Sequence, residues 1–381
     1  MQRPAIICFP YWGGAFGGSH ISSLTLIDEL KASYADRYRP MIVLHQEGEF
    51  ADYLRAKEIP YHLLPLDKYV GQSLGLGQIP IIWKNLWPIR DFIQKHRIDI
   101  VHGNEDDVNY TWSVPTFLSR ALHLWHMRAL YKQSRLGVLM GLCSTLVSVS
   151  DFVVESLPSA CEGKTSVVVD PVSFSEDFPR ETARAAMLKE LGVERETLLV
   201  CFVGNFLEGK RPGVFIDAAA RMVSMLPDRK LLFLMFGDDR ENRCPDLLMH
   251  AESLGVAARI RFMGFRHDIG KCLAACDLAL APAVNEGLGR LVIEPMLLGV
   301  PVVAARSGGI IEIVNDGETG FLVEPDDPSA FAEAAVRVLR EDVLRQRLVV
   351  AAATEIREKF STNKHLSAMT SVYEGLLERK A

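Results

Sequence analysis

The sequence predicts an α/β fold with two domains, each built on a parallel sheet covered by helices. Short apolar runs of strand length alternate with segments of helical spacing along most of the 381 residues, a pattern typical of parallel sheets. That length is sufficient for two domains with separate cores. Residues 170–180 contain two prolines and mixed charge with little periodicity, which suits a connection between domains.

The composition excludes several classes of protein. Apolar residues make up 49% of the chain and charged residues 24%, as in ordinary globular proteins. The formal net charge of -6 argues against a broad nucleic-acid surface, so no nucleic-acid partner is expected. Seven scattered cysteines favour a reducing compartment over a disulfide framework. No apolar run approaches the ~20 residues of a membrane span, and a cytoplasmic protein is expected.

The chain opens with a strand, a glycine-rich loop and a helix, the start of a Rossmann-like unit. The strand is predicted at 5–9, the loop at 13–19 and the helix from residue 24. The glycine spacing is not G-x-G-x-x-G, and no lysine follows to make a P-loop. The loop alone is therefore a weak indication of ligand contact. Further strands are predicted at 41–44, 61–64, 98–102 and 145–148, and helices at 49–57, 79–96 and 151–157.

The predicted helix at 79–96 has two interpretations. Its apolar side chains, which include Trp83 and Trp87, alternate with lysine and arginine. This pattern fits a core helix with a solvated basic edge, and it also fits a face that contacts anionic lipid. Pro88 is expected to kink or break the helix. A peripheral contact with the inner face of the membrane therefore stays open.

In the second half, two acids flank the place where a strand passes into a helix. An apolar run at 278–282 predicts the strand, Glu286 follows on the loop, and Glu294 lies inside the predicted helix. Gly287 and Gly289 bring backbone N–H groups and the positive end of the helix dipole to the same place, which favours phosphate. Such a site suits a nucleotide-sugar, with hydroxyls at both ends and phosphate between them. The alternative is an ordinary strand–loop–helix with solvated acids.

Three further features follow these acids: an apolar strand at 300–304, a Gly308-Gly309 turn and an Asp316-Gly317 turn. With them, the sequence from about Leu198 to Pro325 closely resembles the donor-binding half of the retaining glycosyltransferases of family 4, the group 1 glycosyltransferases. Their signature is two glutamates separated by seven residues, followed by these turns. These enzymes have the glycosyltransferase-B (GT-B) fold.

The resemblance implies two Rossmann-like domains that face each other across a cleft. Residues 1–172 would form the acceptor-side domain, and residues 173–361 the domain that binds the donor. The C-terminal helix, 362–381, would cross back to the first domain. The C-terminal half of the chain carries the resemblance, which is weak before residue 198.

The resemblance also implies roles for individual residues. Glu286 would hold hydroxyls of the donor sugar, Glu294 those of the ribose, and Lys210 would neutralise the diphosphate. His126, with His123 as a competitor, would contact the sugar from the first domain. The other donor-binding residues implied are Gly17, Gly18, Asn205, Arg211, Phe265, Arg266, Gly287, Leu288 and Gly289.

Two positions depart from the family pattern. Asn205 stands where an arginine is expected beside the diphosphate, and spacing does not decide whether Arg211 or Arg290 supplies the missing charge. Asp170-Pro171 replaces the usual Asn-Gly, which weakens any claim that the linker touches substrate.

The function expected is a retaining glycosyltransferase that transfers a sugar from a nucleotide-diphosphate sugar to a glycan, lipid-linked or small-molecule acceptor. No metal cofactor is expected, and the adjacent acids Asp238 and Asp239 are interpreted as loop residues. Two alternatives remain: another nucleotide-sugar enzyme on the same fold, such as an epimerase, and a non-catalytic binding or scaffold protein. The change at Asn205 is the best support for the second.

Overall fold

The chain divides into two compact units, Met1–Pro171 with Thr362–Ala381, and Val172–Ser361. Each unit is an α/β structure with a parallel sheet, as the sequence predicts. The computed structural model describes residues 3–14, 16–66, 78–131, 137–172, 174 and 177–380.

The described part of the first unit contains a seven-stranded sheet. Its strands are Ala5–Tyr11 (β1), Tyr38–Leu44 (β2), His62–Leu63 (β3), Ile100–Gly103 (β4), Leu122–Met127 (β5), Thr145–Ser148 (β6) and Thr165–Val167 (β7). Its helices are Gly18–Ser33 (α1), Glu49–Ala56 (α2), Ile79–Lys95 (α3), Asp106–Ser119 (α4), Gly137–Met140 (α5), Asp151–Glu155 (α6) and Thr362–Lys380 (α14). The strand order is β3-β2-β1-β4-β5-β6-β7.

The described part of the second unit contains a six-stranded sheet. Its strands are Leu198–Val203 (β8), Leu231–Phe236 (β9), Ile260–Gly264 (β10), Leu278–Ala281 (β11), Val302–Ala305 (β12) and Phe321–Val323 (β13). Its helices are Arg180–Leu191 (α7), Pro212–Met225 (α8), Cys244–Ser253 (α9), Ile269–Ala274 (α10), Arg290–Leu297 (α11), Pro328–Arg340 (α12) and Asp342–Lys359 (α13). The strand order is β10-β9-β8-β11-β12-β13.

Continuous apolar strands form the centre of the second sheet. Strand β9 has the sequence LLFLMF, and all six side chains are buried. A strand covered by helices on both faces has no solvent side, so it lacks the alternation seen in half-exposed strands. Strand β8 pairs with β9 in register from Leu198–Leu231 to Val203–Phe236. The two strands therefore end at the same edge of the sheet.

The last helix, α14, belongs to the core of the first unit. Its buried face carries Leu366, Met369, Tyr373 and Leu376, which join the apolar cluster of β1, β2 and α1. These residues recur at helical spacing, and their burial explains why this helix packs on the first sheet.

Helix α3 continues through Pro88, so of the kink or break expected there the break does not occur. A proline inside a helix removes one backbone hydrogen bond and costs ~3 kcal/mol or more. Burial of Leu86, Ile89 and Ile93 on the same helix offsets that cost. Within the described residues, no helix combines the length and the apolar character needed to cross a membrane.

Candidate functional site

The topology of the second sheet indicates where a ligand would bind. Strand order reverses between β8 and β11, so the chain leaves these neighbouring strands in opposite directions. In open α/β sheets, ligands bind outside the carboxyl ends of the strands at such a switch point. The loops at this place are residues 204–211 after β8 and 282–289 after β11. The loop after β12, residues 306–309, lies next to them.

Glycines shape the loop after β8 around a lysine. Gly237, at the end of β9, approaches so closely that a Cβ there would lie 2.0 Å from the carbonyl oxygen of Gly204. A Cβ on Gly204 would in turn lie 3.2 Å from Cδ of Lys210, so the lysine stem packs against the bare glycine backbone. Lys210 itself ends a short 3-10 turn, Glu208–Lys210. This packing sets the direction of the lysine side chain.

Lys210 and Glu286 meet across the switch point. Lys210 Nζ donates to Glu286 Oε1 over 2.6 Å, and the side chains are 26% and 18% exposed. The structure therefore brings together a cation and a carboxylate that the sequence places 76 residues apart. Charge-assisted hydrogen bonds of this kind are short and strong. A ligand with adjacent phosphate and hydroxyl groups can satisfy both partners, because phosphate accepts from the ammonium and hydroxyls donate to the carboxylate.

A second loop holds the Glu286 backbone in place. Gly309 N donates to the carbonyl oxygen of Glu286 over 2.8 Å, and Asn285 N donates to Ser307 Oγ over 3.2 Å. A Cβ at Gly308 would lie 2.7 Å from both N and O of Glu286. The Gly-Gly pair is therefore required for close packing of two loops, in addition to the turn that it makes.

Helix α11 begins directly after this loop. Its N-cap, Gly289, has φ +82° and provides no side-chain cap for the first turn. Such a helix start favours an anionic group, because it combines backbone N–H donors with the positive end of the dipole. Glu294 lies in the second turn and is 12% exposed, and its Oε1 accepts from Arg290 Nη2 over 2.8 Å. The acid predicted to hold a ribose is thus already paired with a cation.

Other predicted donor residues have contacts of their own. Asn205 Oδ1 accepts from the backbone N–H of Asp238 over 3.2 Å, which ties the loop after β8 to the loop after β9. Arg211 pairs with Asp326 over 3.0 Å. Arg266 is bound by Glu190 and Asp268 through four hydrogen bonds. That guanidinium lowers the pKa of the Asp268 carboxyl.

Phe265, next to Arg266, has the exposure expected of a ligand contact. Its side chain is 64% exposed and meets the ring of His267 edge-on, with ring centroids 4.9 Å apart. The predicted roles of Phe265, Arg266 and Leu288 in binding the donor stay predictions, since no ligand contact tests them.

The first unit has its own switch point, between β1 and β4. Gly17 caps helix α1 there, and its N–H donates to His20 Nδ1 over 3.2 Å. His20 Nε2 contacts Glu105 Oε1 over 2.9 Å, and Trp12 N donates to Glu105 Oε2 over 2.7 Å. Sequence reasoning missed Glu105 and His20. The signal was available, because Glu105 lies two residues after β4, the strand beside β1. The roles predicted for Gly17 and Gly18 stay predictions.

His126 is buried at the end of β5, with 1% of its surface exposed. Its Nδ1 lies 3.1 Å from His102 Nε2, and His102 Nδ1 lies 2.7 Å from the hydroxyl of Tyr373 on α14. Burial lowers the pKa of both histidines well below the ordinary value, so both rings are neutral. Among the residues that the structure describes, His126 Nε2 has no hydrogen-bond partner, and it lies 3.9 Å from Asp170 Oδ1. The sugar contact predicted for His126 stays a prediction.

Asp170, the residue that departs from the family pattern, forms a buried ion pair. Arg128 Nε and Nη2 donate to its two carboxylate oxygens over 2.6 and 2.9 Å, and Arg128 Nη1 donates to Asn104 Oδ1 over 2.6 Å. This bidentate geometry fixes the ends of β4 and β5 to the segment that leads out of the first unit. Asp170 therefore has a structural contact that spacing alone did not indicate.

A metal site is not evident in the part of the chain that the structure describes, where no group of three or more His, Cys, Asp or Glu is arranged to hold an ion. The carboxylate of Asp239 accepts the backbone N–H groups of Arg243 and Cys244 over 2.6 and 2.9 Å, as expected of a loop residue.

Comparison with known proteins adds a family model and relatives for part of the chain. Residues 197–341 match the family described as "Glycosyl transferases group 1". The D-inositol 3-phosphate glycosyltransferase of Corynebacterium glutamicum is 36% identical over 204 residues, 52% of this chain and 48% of the relative. The N-acetyl-alpha-D-glucosaminyl L-malate synthase of Bacillus anthracis is 30% identical over 189 residues, 50% of this chain and 48% of the relative. The chain spans about half the length of the curated relatives it matches.

Solved structures match nearly the whole chain. Anabaena HepE in complex with UDP and glucose has a TM-score of 0.80 at 23% identity, covering 97% of this chain and all of the other. A glycosyltransferase from Rickettsia africae has a TM-score of 0.83 at 20% identity, covering 99% of each chain. The chain has the GT-B fold. At these identities the likeness establishes the fold alone, and residues 197–341 are the segment that matches the group 1 glycosyltransferase model.

Proposed function

We propose that the chain is a retaining glycosyltransferase that transfers a hexosyl group from a nucleotide-diphosphate sugar. The observation that carries this proposal is the Lys210–Glu286 pair at the switch point, with the N-terminus of α11 beside it and Glu294 in the following turn. This arrangement offers contacts, in order, to the sugar, the diphosphate and the ribose of such a donor. The match of residues 197–341 to group 1 glycosyltransferases supports the same conclusion.

In this proposal, Glu286 accepts hydrogen bonds from the sugar and Glu294 from the ribose. The bond between the anomeric carbon and the diphosphate oxygen breaks early. The acceptor hydroxyl then attacks from the same face, and its proton passes to the departing phosphate oxygen. Negative charge grows on the diphosphate, so Lys210 and the first amides of α11 stabilise the transition state more than the ground state. The charge is neutralised by protein groups, and we propose no metal cofactor.

The acceptor is a hydroxyl compound: a glycan, a lipid-linked glycan or a small molecule. The relatives from Corynebacterium and Bacillus are named for inositol phosphate and malate, which supports testing small polyols and hydroxy acids first. HepE was solved with UDP and glucose, which supports UDP-sugars as the first donors. We place the reaction in the cytoplasm, consistent with the scattered cysteines, all seven of which are free.

A specific observation favours a peripheral membrane contact in addition. Ile79, Trp83 and Trp87 form an apolar stripe at i, i+4 and i+8 on α3, and the two tryptophans are 60% and 53% exposed. The guanidinium of Arg90 lies 5.3 Å from the ring of Trp87. Exposed tryptophan beside arginine suits the headgroup region of an anionic membrane. We propose that this stripe holds the enzyme near a lipid-linked acceptor.

The membrane contact is tested by sedimentation with vesicles that contain anionic lipid. Replacing both Trp83 and Trp87 with serine should release the protein from the vesicles. Val350→Ser, which removes an equally exposed apolar side chain from the second unit, should not. Equal sedimentation of the two variants would reject the contact.

The function is tested by incubating the protein with UDP-, GDP- and ADP-sugars and following release of the nucleoside diphosphate, with and without candidate acceptors. A retaining transferase should release it and form a product with the anomeric configuration of the donor. Conversion of one nucleotide-sugar into another, without release, would identify an epimerase. Binding of a nucleotide-sugar without any turnover would favour a non-catalytic protein.

A further inference from the structure

The loop after β8 is one cation short of the resembled family pattern. Asn205 stands at the position where the pattern has arginine, and its side chain is uncharged. Its Oδ1 accepts the backbone N–H of Asp238 over 3.2 Å, so the amide serves to join two loops. If a diphosphate binds here as that pattern implies, another cation of the unit is a candidate to join Lys210, and Arg211 and Arg290 are the two nearby in the sequence motifs.

Arg211 is poorly suited to supply that cation. Its guanidinium pairs over 3.0 Å with Asp326, which lies on the loop after β13. Strand β13 is at the edge of the sheet and is separated from β11 by β12. The backbone of Arg211 is in the left-handed region, with φ +55°, and Pro212 follows it. These constraints direct the side chain towards the sheet edge and away from the switch point.

Arg290 occupies the first position of α11, directly after the Gly289 turn. Its Nε and Nη2 both donate to Oε1 of Glu294, over 3.0 and 2.8 Å. Residues at i and i+4 share one face of a helix. The helix rises ~1.5 Å per residue, so the backbone of Arg290 lies ~6 Å closer to the helix start than the backbone of Glu294 does.

We infer that Arg290 binds the phosphate adjacent to the ribose and takes the place of the arginine missing at position 205. This inference rests on the proposed function, which places the ribose on Glu294 and the departing phosphate at the start of the helix. The phosphate between these two groups then lies beside Arg290. A guanidinium has five N–H donors, and the contacts with Glu294 use two of them. Arg290 can therefore orient the carboxylate for the ribose and donate to phosphate at the same time.

The test is calorimetric titration of the full chain with a nucleoside, its monophosphate and its diphosphate, using the base that the wild-type protein binds. Arg290→Gln should weaken binding of both phosphorylated ligands by about 10- to 100-fold. It should change the affinity for the unphosphorylated nucleoside by less than about threefold. Arg290→Lys, which keeps the charge, should retain part of the affinity.

Arg337→Gln provides a matched control. Arg337 also pairs with a glutamate four residues later on a helix of the same unit, Glu341. It lies near the C-terminal end of α12, and the carboxyl ends of helices in such a fold lie at the opposite edge of the sheet from the switch point. This variant should bind all three ligands as the wild type does.

Charge relocation gives a second test. Adding Asn205→Arg to Arg290→Gln returns an arginine to the position of the family pattern and should recover at least tenfold of the lost diphosphate affinity. An equal loss for nucleoside and diphosphate in Arg290→Gln would overturn the inference, because the arginine would then act only by holding Glu294. If Arg211→Gln lost affinity for the phosphorylated ligands and Arg290→Gln did not, the phosphate contact would belong to Arg211. Failure of the wild type to bind any nucleotide would instead reject the proposed function itself.

Discussion

Replacing Gly309 with alanine tests whether the loop after β12 positions the loop that carries Glu286. Gly309 N donates to the carbonyl oxygen of Glu286, and the two loops pack backbone against backbone. The φ angle of Gly309 is outside the left-handed region, so alanine fits its backbone conformation. Any effect of the substitution must therefore come from the added methyl group.

The structure gives the size of the perturbation. The new Cβ would lie 2.3 Å from the carbonyl oxygen of Gly287, whereas ordinary contacts begin at 3.4 Å. The loop that carries Glu286 must therefore move by about 1.1 Å, the difference between these distances. A displacement of about 1 Å in a catalytic site costs roughly 100-fold in rate. We expect the turnover of Gly309→Ala to fall by about that factor.

The assay is release of nucleoside diphosphate from the donor, with thermal unfolding measured in parallel. Gly213→Ala is the control, because a Cβ at this position in α8 would meet none of the described residues within 4 Å. The control should keep full turnover. Wild-type turnover in a folded Gly309→Ala protein would refute the argument that close loop packing positions Glu286.

Three other predictions concern charge and protonation. Lys210→Ala should lower kcat by about 10²- to 10³-fold with a smaller change in donor KM, because the lysine acts on charge that develops in the transition state; an unchanged kcat in steady-state assays would remove that role. Glu294→Ala should weaken nucleoside diphosphate binding by about 10- to 100-fold in calorimetry, because the ribose loses a charged acceptor; unchanged affinity would contradict it. Burial lowers the pKa of His45 to about 4 and of His123 to about 3, so the unfolded chain binds protons that the folded state does not. The free energy of unfolding therefore falls as the pH drops below about 6.5, and at pH 5 these two residues have lowered it by about 3 kcal/mol. Urea unfolding of a protein with both His45→Gln and His123→Gln should show a smaller loss over that pH range.

Much of the fold follows from local sequence patterns. Strand β6 has the predicted bounds, 145–148, because a short apolar run between polar turns leaves few other ways to bury those side chains. Helices α4 and α13 were missed. Pro115 interrupts the helical pattern of α4, and α13 exposes Val343 and Val350 while burying other apolar residues, so its faces are poorly separated.

The sequence named the residues of one contact at the candidate site, and the roles given to those residues stay predictions. The motif spacing identifies Lys210 and Glu286, and the structure places them in contact, since β8 and β11 are neighbours in the sheet. The surroundings of His126 could not be predicted. They depend on His102 and on Tyr373, which follows His102 by 271 residues and reaches it from the last helix. Local spacing carries no information about partners so distant in the sequence.

The position of α14 has a consequence for biosynthesis. Leu366, Met369 and Tyr373 complete the core of the first unit, yet they are translated after the whole of the second unit. The second unit is one uninterrupted stretch, so it can finish folding on the ribosome while the first still exposes an apolar groove. Loss of a few residues from the last helix would therefore damage the unit that was synthesised first and leave Lys210, Glu286 and Glu294 of the second unit in place.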